Sequence, residues 1–376
     1  MEGQESGITC HVKAYRQAKG WSQAQLADAV GVRRQAIYDI ESGRYLPNTA
    51  VALHLARALD CRVETLFSEE APEDIQPVIL DGEGEAGTRR LLAARLRGKL
   101  TCVPMTGKIL LNSGLPPADA LLEKEGQRAR VFCPSDVLEK TILLFGCDPA
   151  FSILGGHVAR AFSGARVHCC FASSYASLEA LSHGRAHVGG VHLHNTEDHP
   201  EDEQANVTLA RKMMSGIAGK VIGFTHMDEG LMVAPGNPHK IRSVADLAHK
   251  NLTLINRECG AALRRLLDDQ LDRANIPPST VRGYDHTVST HNEGAQFVAS
   301  GLADAALGLH VVADLFNLDF IPIETVRCDL VIPDDLLSHQ TIRIMLDVLQ
   351  TRALRQEIAT IPGYESSPIG SLIDTL

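Results

Sequence analysis

Long apolar runs are missing from this chain of 376 residues. No stretch approaches the ~18 consecutive apolar residues that a membrane helix needs, so we expect no membrane partner. The opening residues MEGQESGITCH lack a basic region followed by an apolar stretch, and we expect no secretory signal. The nine cysteines are an odd number without a CxxC pair, which disfavours a disulfide framework. The sequence therefore predicts a cytoplasmic protein.

The familiar catalytic motifs are also missing. The patterns GxSxG, GxxxxGK[ST] and HExxH do not occur, and no constellation of Ser, His and carboxylate side chains stands out. We therefore predict neither an enzyme nor a bound cofactor. An enzyme on the fold inferred below stays open as an alternative, because a fold alone does not fix a function.

A uniform excess of basic charge is absent as well, since the formal net charge is -10. Between His11 and Arg62, however, eight Lys and Arg residues face four Asp and Glu residues. This local excess of positive charge indicates that contact with a polyanion is confined to one small segment.

The same segment has the pattern of a compact helical bundle. Ser22 precedes an apolar-periodic run, and Gln25 completes a capping box, which predicts a helix ending near Val30. Gly31 supplies a turn, and a second helix is predicted from Arg33 to about Ser42. A third apolar run begins after Pro47. This spacing is typical of a helix-turn-helix.

Through the strings SQAQLADAVGV and AIYDIESGR, the first 70 residues resemble the Cro and phage-repressor (XRE) family of helix-turn-helix domains. The resemblance implies binding to double-stranded DNA with the second helix in the major groove. It also implies a homodimer, because one such domain makes few phosphate contacts. The residues it places against bases are Arg33, Arg34, Gln35 and Asp39, and those it places against phosphates are Gln23 and Arg44.

The composition then changes twice along the chain. Residues 71–88 are acidic, with prolines and glycines, and we interpret them as a linker behind the DNA-binding domain of residues 1–70. Residues 89–137 carry short apolar runs and are predicted to form a small strand-rich connecting segment of unassigned role. Residues 138–376 form the remaining domain.

In residues 138–376 predicted strands and helices alternate, which favours an open, mostly parallel sheet with helices on both faces. Polar residues gather where strands lead into helices, and helix starts favour negative charge. We therefore predict a site for a small anion. Its candidate residues are Cys147, Asp148, Ser173, Ser174, Ser177, Asn256, Arg257, Cys259, Gly260, Ser289 and Thr290.

The strings GCDPAFSILGGHVAR, SLEALSHGRAHVGGVHL and NRECGAALRRLLD, with the GLADAALGL run, resemble the periplasmic-binding-protein-like domain related to molybdate-binding proteins. The resemblance implies two lobes that close on a ligand, and molybdate or tungstate as that ligand. It also implies two crossings between the lobes, which we place near residues 191–195 and 303–308.

Two other ligand classes remain open. The first is a metal ion, since a histidine-rich stretch can supply imidazole ligands, with Asp198 beside it. Its histidines are His183, His187, His192, His194 and His199. The second is a thiol-reactive signal, because Cys147 and Cys259 lie at predicted helix starts, where a thiolate is stabilised. We predict no metal site of defined ligands.

These inferences combine into one expectation. The chain should be multidomain, with an all-α helix-turn-helix bundle followed by an α/β two-lobed domain of the type II periplasmic-binding-protein-like class. Its expected function is that of a bacterial transcriptional regulator that binds an operator as a dimer and senses a small oxyanion. A metal-responsive or thiol-responsive regulator is the alternative.

Overall fold

The structure is a computed structural model that describes residues 8–69, 74–80, 89–105, 116–123, 128–195, 204–249 and 252–376. The chain divides into two compact units, Met1–Asp74 and Ile75–Leu376. Each unit has hydrophobic clusters of its own.

The first unit is a helical bundle with a short antiparallel ribbon. Its helices are α1 (Val12–Ala18), α2 (Gln23–Val30), α3 (Arg34–Glu41), α4 (Thr49–Leu59) and α5 (Val63–Leu66), and its strands are β1 (Ile8–Cys10) and β2 (Phe67–Glu69). Leu26, Ile37 and Leu55 are fully buried at the centre of the bundle. The apolar spacing of α2 and α3 thus produces one core.

The turn between α2 and α3 has the predicted chemistry. Ser22 Oγ accepts a hydrogen bond from the Gln25 amide at 3.2 Å, and Gln25 Oε1 accepts one from the Ser22 amide at 2.8 Å. Gly31 ends α2 with a φ of 75°, a left-handed conformation that favours glycine. The predicted helix-turn-helix is confirmed.

The second unit begins with a six-stranded sheet of order β3-β8-β7-β5-β6-β4. Its strands are β3 (Asp74–Pro77), β4 (Ile79–Leu80), β5 (Arg90–Leu96), β6 (Lys99–Pro104), β7 (Ala120–Leu122) and β8 (Arg128–Val131). The first two strands fall inside the predicted linker of residues 71–88, so that part of the linker is folded. Residues 71–73 and 81–88 of the predicted linker lie outside the described residues.

The larger sheet of this unit has ten strands, in the order β10-β9-β11-β16-β12-β15-β13-β14, with β17 and β18 also paired to β12. Its strands are β9 (Thr141–Gly146), β10 (Arg166–Phe171), β11 (Val188–His192), β12 (Gly219–Val233), β13 (Leu254–Arg257), β14 (Thr287–Val288), β15 (Ala305–Leu309), β16 (Asp319–Pro333), β17 (Tyr364–Glu365) and β18 (Leu372–Thr375).

Ten helices accompany the two sheets in the described part of this unit. They are α6 (Ser135–Glu139), α7 (Phe151–Ala161), α8 (Ser174–Ser182), α9 (Ala205–Met213), α10 (Ala245–His249), α11 (Ala262–Arg273), α12 (His291–Ala299), α13 (His310–Leu315), α14 (Gln340–Leu349) and α15 (Arg352–Ile358). Short 3-10 turns lie at Pro278–Thr280 and Asp334–Leu336.

Two long antiparallel strands, β12 and β16, connect the two lobes of the large sheet. One lobe contains β9, β10 and β11, and the other contains β13, β14 and β15. Each long strand has 15 residues, or about 50 Å at ~3.3 Å per residue, which is enough to run through both lobes. The long strands are therefore the crossovers between the lobes.

The crossovers predicted near residues 191–195 and 303–308 are wrong. Residues Val188–His192 form β11 within the first lobe, and Ala305–Leu309 form β15 within the second. Both strands have five residues, which is too short to span two lobes. The sheet is also more mixed than predicted, because β12 pairs antiparallel with both β15 and β16. The two-lobed α/β fold class itself is confirmed.

Asp119 joins the six-stranded sheet to the first lobe. Its carboxylate accepts hydrogen bonds from the Ala93 amide at 2.9 Å and from Arg166 Nη1 at 2.7 Å, and His168 Nε2 lies 2.8 Å away. Burial by itself would raise the pKa of Asp119, but His168, the amide and Arg166 together lower that pKa to about 2. Asp119 is therefore ionised in the folded protein at neutral pH.

Replacing Asp119 with alanine should lower the free energy of unfolding by about 2 kcal/mol at pH 7, since a depressed carboxyl pKa represents stability. That contribution is complete above the ordinary aspartate pKa near 4 and is lost as the pH falls toward 2. Urea unfolding followed by circular dichroism at pH 7 and pH 2.5 measures both effects. Asp136→Ala, which removes an exposed carboxylate paired with Lys140, is the control. An unfolding difference for Asp119→Ala that is equal at the two pH values would contradict this account.

Candidate functional site

The start of α3 presents a polar surface on the first unit. Arg33 is the N-cap residue of α3, Arg34 and Gln35 begin the helix, and all three are exposed. Gln35 Nε2 donates a hydrogen bond to Asp39 Oδ1 at 3.1 Å, which fixes that carboxylate on the helix surface. The structure thus brings four of the predicted DNA-contacting residues together on one short helix.

Arg44 lies just beyond α3 and contacts the ring of Tyr38, which belongs to that helix. The Arg44 guanidinium lies 5.5 Å from the centre of the Tyr38 ring, and the ring is 43% exposed. A guanidinium held over an exposed aromatic face keeps its donors available to a phosphate. Arg44 remains a candidate phosphate contact, and Tyr38 joins it as a residue that the sequence prediction did not name.

A buried ion pair between Arg16 and Glu41 connects α1 to the last residue of α3. Arg16 Nε lies 2.5 Å from Glu41 Oε1, and Gln23 Nε2 donates to Glu41 Oε2 at 2.9 Å. Burial opposes ionisation of Glu41, but Arg16 and Gln23 lower its pKa below the ordinary value. Arg16 therefore does not contribute its charge to the basic surface, and the Gln23 amide, predicted to meet a phosphate, is engaged within the bundle.

A cleft of about 210 Å³ opens between the two lobes of the second unit. The first lobe contributes the segment that follows β9 and the end of β10, and the second contributes the start of α12 and the Val312 and Leu315 side of α13. Its lining residues are Gly146, Cys147, Asp148, Pro149, Phe151, Ser152, Cys169, Phe171, His291, Asn292, Val312 and Leu315. The cleft therefore combines apolar side chains with a few polar groups.

Two helices begin at this cleft, one from each lobe. Phe151 and Ser152 are the first residues of α7, and His291 and Asn292 are the first residues of α12. The Phe151 and Ser152 amides donate to the Asp148 and Pro149 carbonyls at 3.2 Å, so α7 acts on the cleft through the partial positive charge of its first turn. An anion in the cleft would therefore meet favourable potential from both lobes.

Cys147 lines the cleft and begins a chain of contacts with His192 and Glu229, which are buried behind it. Cys147 Sγ lies 2.8 Å from His192 Nε2, and His192 Nδ1 lies 2.9 Å from Glu229 Oε1. The Glu229 carboxylate is fully buried, and its contact with His192 is an ion-pair contact rather than a well-aligned hydrogen bond. Burial opposes charge on His192, but Cys147 and Glu229 raise its pKa well above the ordinary value.

His291 lines the cleft on the side of the second lobe, and Arg257 is buried behind it. Arg257 is almost fully buried, donates to His291 Nδ1 at 2.8 Å and to the Ser289 carbonyl at 3.0 Å, and lies 6.0 Å from the Phe171 ring centre. Burial and the Arg257 charge lower the pKa of His291 well below its ordinary value. His291 is thus neutral at pH 7 while Arg257 supplies buried positive charge.

Some of the predicted ligand residues line the cleft, and the others bond to groups elsewhere in the protein. Among the described residues, Cys147 and Asp148 are the predicted ones whose atoms line the cleft. Asp148 is directed into the core, where it accepts hydrogen bonds from Tyr364, Thr225 and the Ala150 amide. Burial raises the pKa of Asp148 despite these bonds. Its carboxylate ties β12 and the C-terminal region to the first lobe rather than facing a ligand.

The serines at the start of α8 serve the protein itself. Ser173 Oγ caps α8 by accepting from the Ala176 amide at 3.3 Å. Ser174 and Ser177 are buried and donate to the His192 and Phe145 carbonyls at 3.0 and 2.9 Å. Their hydroxyls are thus engaged with backbone groups, and their role as ligand residues stays a prediction.

The predicted residues of the second lobe have mixed roles. Asn256 accepts from the Arg257 amide and donates to the Tyr284 carbonyl, so it shapes the loop. Cys259 is exposed, and Gly260 has a φ of 88°. Ser289 donates to Glu258 at 3.0 Å, and Thr290 forms a capping box with Glu293. Ser289 and Thr290 therefore position α12, whose next residue, His291, reaches the cleft.

The histidine-rich stretch does not gather around one point. His183 is exposed, while His187 accepts from the Leu143 amide and has its pKa lowered to about 3 by burial. His194 lies 2.6 Å from Asp269, and His192 contacts Cys147. In the described part of the chain, no group of three or more His, Cys, Asp and Glu side chains is arranged to hold a metal ion. His199 and Asp198 lie outside the described residues.

His192 and Glu229 are functional candidates that the sequence prediction did not place together. Glu229 lies in β12, directly after Asp228 and directly before the apolar residues GLMV. Only the long crossover strand brings it to His192. The signal available in the sequence was a charged residue inside a buried strand.

Within the described ranges, no helix has the length and apolar character required to cross a membrane.

Comparison with known proteins agrees with both units. The model of the PBP superfamily domain matches residues 155–350, and the helix-turn-helix model matches residues 12–66. The protein YvgK of Bacillus subtilis (strain 168) is 28% identical over 232 residues, which is 62% of this chain and 73% of YvgK. An HTH-type transcriptional regulator of Methanothermobacter thermautotrophicus is 40% identical over 73 residues, 19% of this chain and 91% of that protein.

Two solved structures match the chain at low sequence identity. Peb3 from Campylobacter jejuni is 16% identical with a TM-score of 0.41, covering 60% of this chain and 99% of that one. The sulfate-binding protein SubI from Mycobacterium tuberculosis H37Rv is 14% identical with a TM-score of 0.43, covering 60% of this chain and 86% of that one. The chain belongs to the PBP superfamily and, with its XRE-type helix-turn-helix domain, is an HTH-type transcriptional regulator that carries a PBP-like ligand-binding domain.

Proposed function

We propose that this regulator binds a small anion in the cleft between its lobes, and that the bound anion changes its affinity for operator DNA. The observation that carries the proposal is the meeting of the first turns of α7 and α12 at the cleft, one from each lobe. An anion held by both turns would favour the closed arrangement of the lobes. A ligand shifts such an equilibrium by as much as it prefers one state over the other.

The lining of the cleft defines the class of anion further. Phe151, Phe171, Val312 and Leu315 present apolar surface, and Leu315 is 68% exposed. Apolar walls favour a ligand with a hydrocarbon part, since burying that surface is favourable. We therefore propose a small carboxylate or other organic oxyanion ahead of molybdate and tungstate, which the family resemblance implies.

The DNA-binding form is proposed to be a homodimer in the cytoplasm. The surface formed by Arg33, Arg34, Gln35 and Asp39 covers a single short helix, which suits one half-site. Two half-sites about 34 to 36 Å apart would engage two copies and supply the affinity that one copy lacks. Binding by the dimer makes the relative orientation of the two recognition helices the quantity that the ligand changes.

Thermal melting against a panel of anions tests the ligand proposal. Molybdate, tungstate, sulfate, phosphate and small carboxylates are each added to the purified full chain. An anion present at 100 times its Kd should stabilise the protein by ~2.7 kcal/mol. If none of these anions changes the melting temperature, the anion proposal is wrong.

A matched pair of variants connects any stabilisation to the cleft. Asn292→Asp places a carboxylate in the first turn of α12, where it should repel an anion while remaining favourable to the helix itself. Gln296→Glu makes the same change of charge at an exposed position of the same helix. We expect the first variant to lose the anion response and the second to keep it. Equal responses in the two variants would place the anion elsewhere.

A further inference from the structure

The contacts of Cys147 go beyond what an anion-binding cleft needs. Its sulfur lies on the cleft wall and 2.8 Å from His192 Nε2, while the other ring nitrogen of His192 lies 2.9 Å from a fully buried carboxylate, Glu229. Cys147 is a nucleophile, His192 is a base that contacts it, and Glu229 is a group that orients the base. This is the arrangement by which proteins activate a thiol.

The surroundings of Cys147 compensate a negative charge on its sulfur. The titratable groups close to it are His192, Glu229, Arg257, Asp148, Tyr364 and Cys328. Burial raises the pKa values of Asp148, Tyr364 and Cys328, which disfavours additional negative charge there. A thiolate on Cys147 would therefore alternate in charge with imidazolium, carboxylate and guanidinium, and the cluster as a whole would stay near neutrality.

We propose that Cys147 is a reactive thiolate, paired with His192 and held in place through Glu229, that adds covalently to α,β-unsaturated carbonyl compounds entering the cleft. The apolar walls formed by Phe151, Phe171 and Val312 suit the hydrocarbon part of such a molecule. This site does not depend on the proposed anion, although both ligands would occupy the same cleft.

The proposed step is a conjugate addition. The thiolate sulfur forms a bond to the β-carbon, and the electron pair of the carbon-carbon double bond moves toward the carbonyl to give an enolate. The proton that His192 took from Cys147 is then delivered to the α-carbon, which leaves a thioether. No oxidant, reductant or water is consumed, so the atoms and electrons balance with the two reactants alone.

Labelling with N-ethylmaleimide, an activated alkene of this class, tests the proposal on the full chain. The rate of labelling of each cysteine is followed by peptide mass spectrometry at pH 6 and pH 9. An ordinary exposed cysteine is only about 0.3% thiolate at pH 6. We expect Cys147 at pH 6 to react at least about tenfold faster than Cys259, which is exposed.

Two variants distinguish activation from simple access to the sulfur. His192→Gln should lower the Cys147 rate at pH 6 by about tenfold while changing the rate at pH 9 much less, because at high pH the thiolate forms without a partner. His194→Gln, which removes a neighbouring buried imidazole paired with Asp269, should leave both rates unchanged. If His192→Gln does not fold, as judged by its melting temperature, Glu229→Gln is measured instead, and a reduced rate at pH 6 is expected there too.

Two results would overturn the proposal. In the first, Cys147 labels no faster than Cys259 at pH 6. In the second, a folded His192→Gln or Glu229→Gln variant keeps the pH profile of the unmodified chain. Either result leaves the anion response of the melting temperature untouched, so failure of the covalent site and failure of the anion proposal are separately visible.

Discussion

Replacing Arg34 with alanine should weaken binding to a two-half-site operator by about 2 to 6 kcal/mol, or on the order of 30-fold to 10⁴-fold. Arg34 is the first residue of α3 and is exposed, so its guanidinium can reach a base edge in the major groove. Each such contact contributes about 1 to 3 kcal/mol, and a dimer loses two of them. Gel-shift titration with DNA from the region upstream of the protein's own coding sequence measures the loss.

The control for Arg34 removes the same charge elsewhere in the bundle. Arg57 is an exposed arginine in the last turn of α4, and Arg57→Ala should change affinity much less. Arg44→Ala should weaken binding to all sequences alike and reduce the salt dependence, as a lost phosphate contact does. Unchanged binding by Arg34→Ala would mean that α3 is not the recognition helix.

Replacing Glu41 with alanine should lower the free energy of unfolding of the first unit by about 3 to 5 kcal/mol. The change leaves the Arg16 guanidinium buried without its carboxylate, and it also removes the acceptor of the Gln23 amide. Because the pKa of Glu41 is lowered, this contribution is present above the ordinary glutamate pKa and is lost as the pH falls through the lowered value.

Trp21 makes this loss measurable in the full chain. It is the single tryptophan, and its carbonyl accepts a hydrogen bond from Arg16, so its fluorescence reports on the first unit. Asp28→Ala, which removes an exposed acid from α2, should have little effect on urea unfolding. The double variant Arg16→Met with Glu41→Leu should recover much of the stability, since no buried charge is left unpaired. A cost below about 1 kcal/mol for Glu41→Ala would show that the pair is not an important support.

The helix-turn-helix could be predicted because its signals are local. The capping box of Ser22 and Gln25 and the left-handed Gly31 act within a few residues, and the structure has both. Local patterns did not reveal that Arg16 and Gln23 converge on Glu41, since those partners are separated by 25 and 18 residues. As a result, Gln23 was predicted to contact a phosphate, whereas its amide bonds to Glu41 within the bundle.

The cleft likewise contains features that local sequence signals predict and features that depend on distant residues. Cys147 could be predicted because it follows a buried strand and precedes a helix, and that junction does line the cleft. Ser174 and Ser177 occupy a similar junction but bond to backbone carbonyls, and a sequence pattern does not distinguish the two outcomes. His192 and Glu229 meet only because β11 and the long β12 lie in one sheet.

The sequence by itself determined the order of the two units, the caps and turn of the recognition helix, and the alternation of strands and helices that is typical of an α/β sheet. These features follow from hydrophobic periodicity and from the backbone preferences of a few residues, both of which act over short distances along the chain. Only the tertiary structure decided which strands cross between the lobes and which polar side chains face the cleft. Those outcomes depend on contacts between residues far apart in sequence, because a side chain is a ligand group only where the fold leaves it unsatisfied.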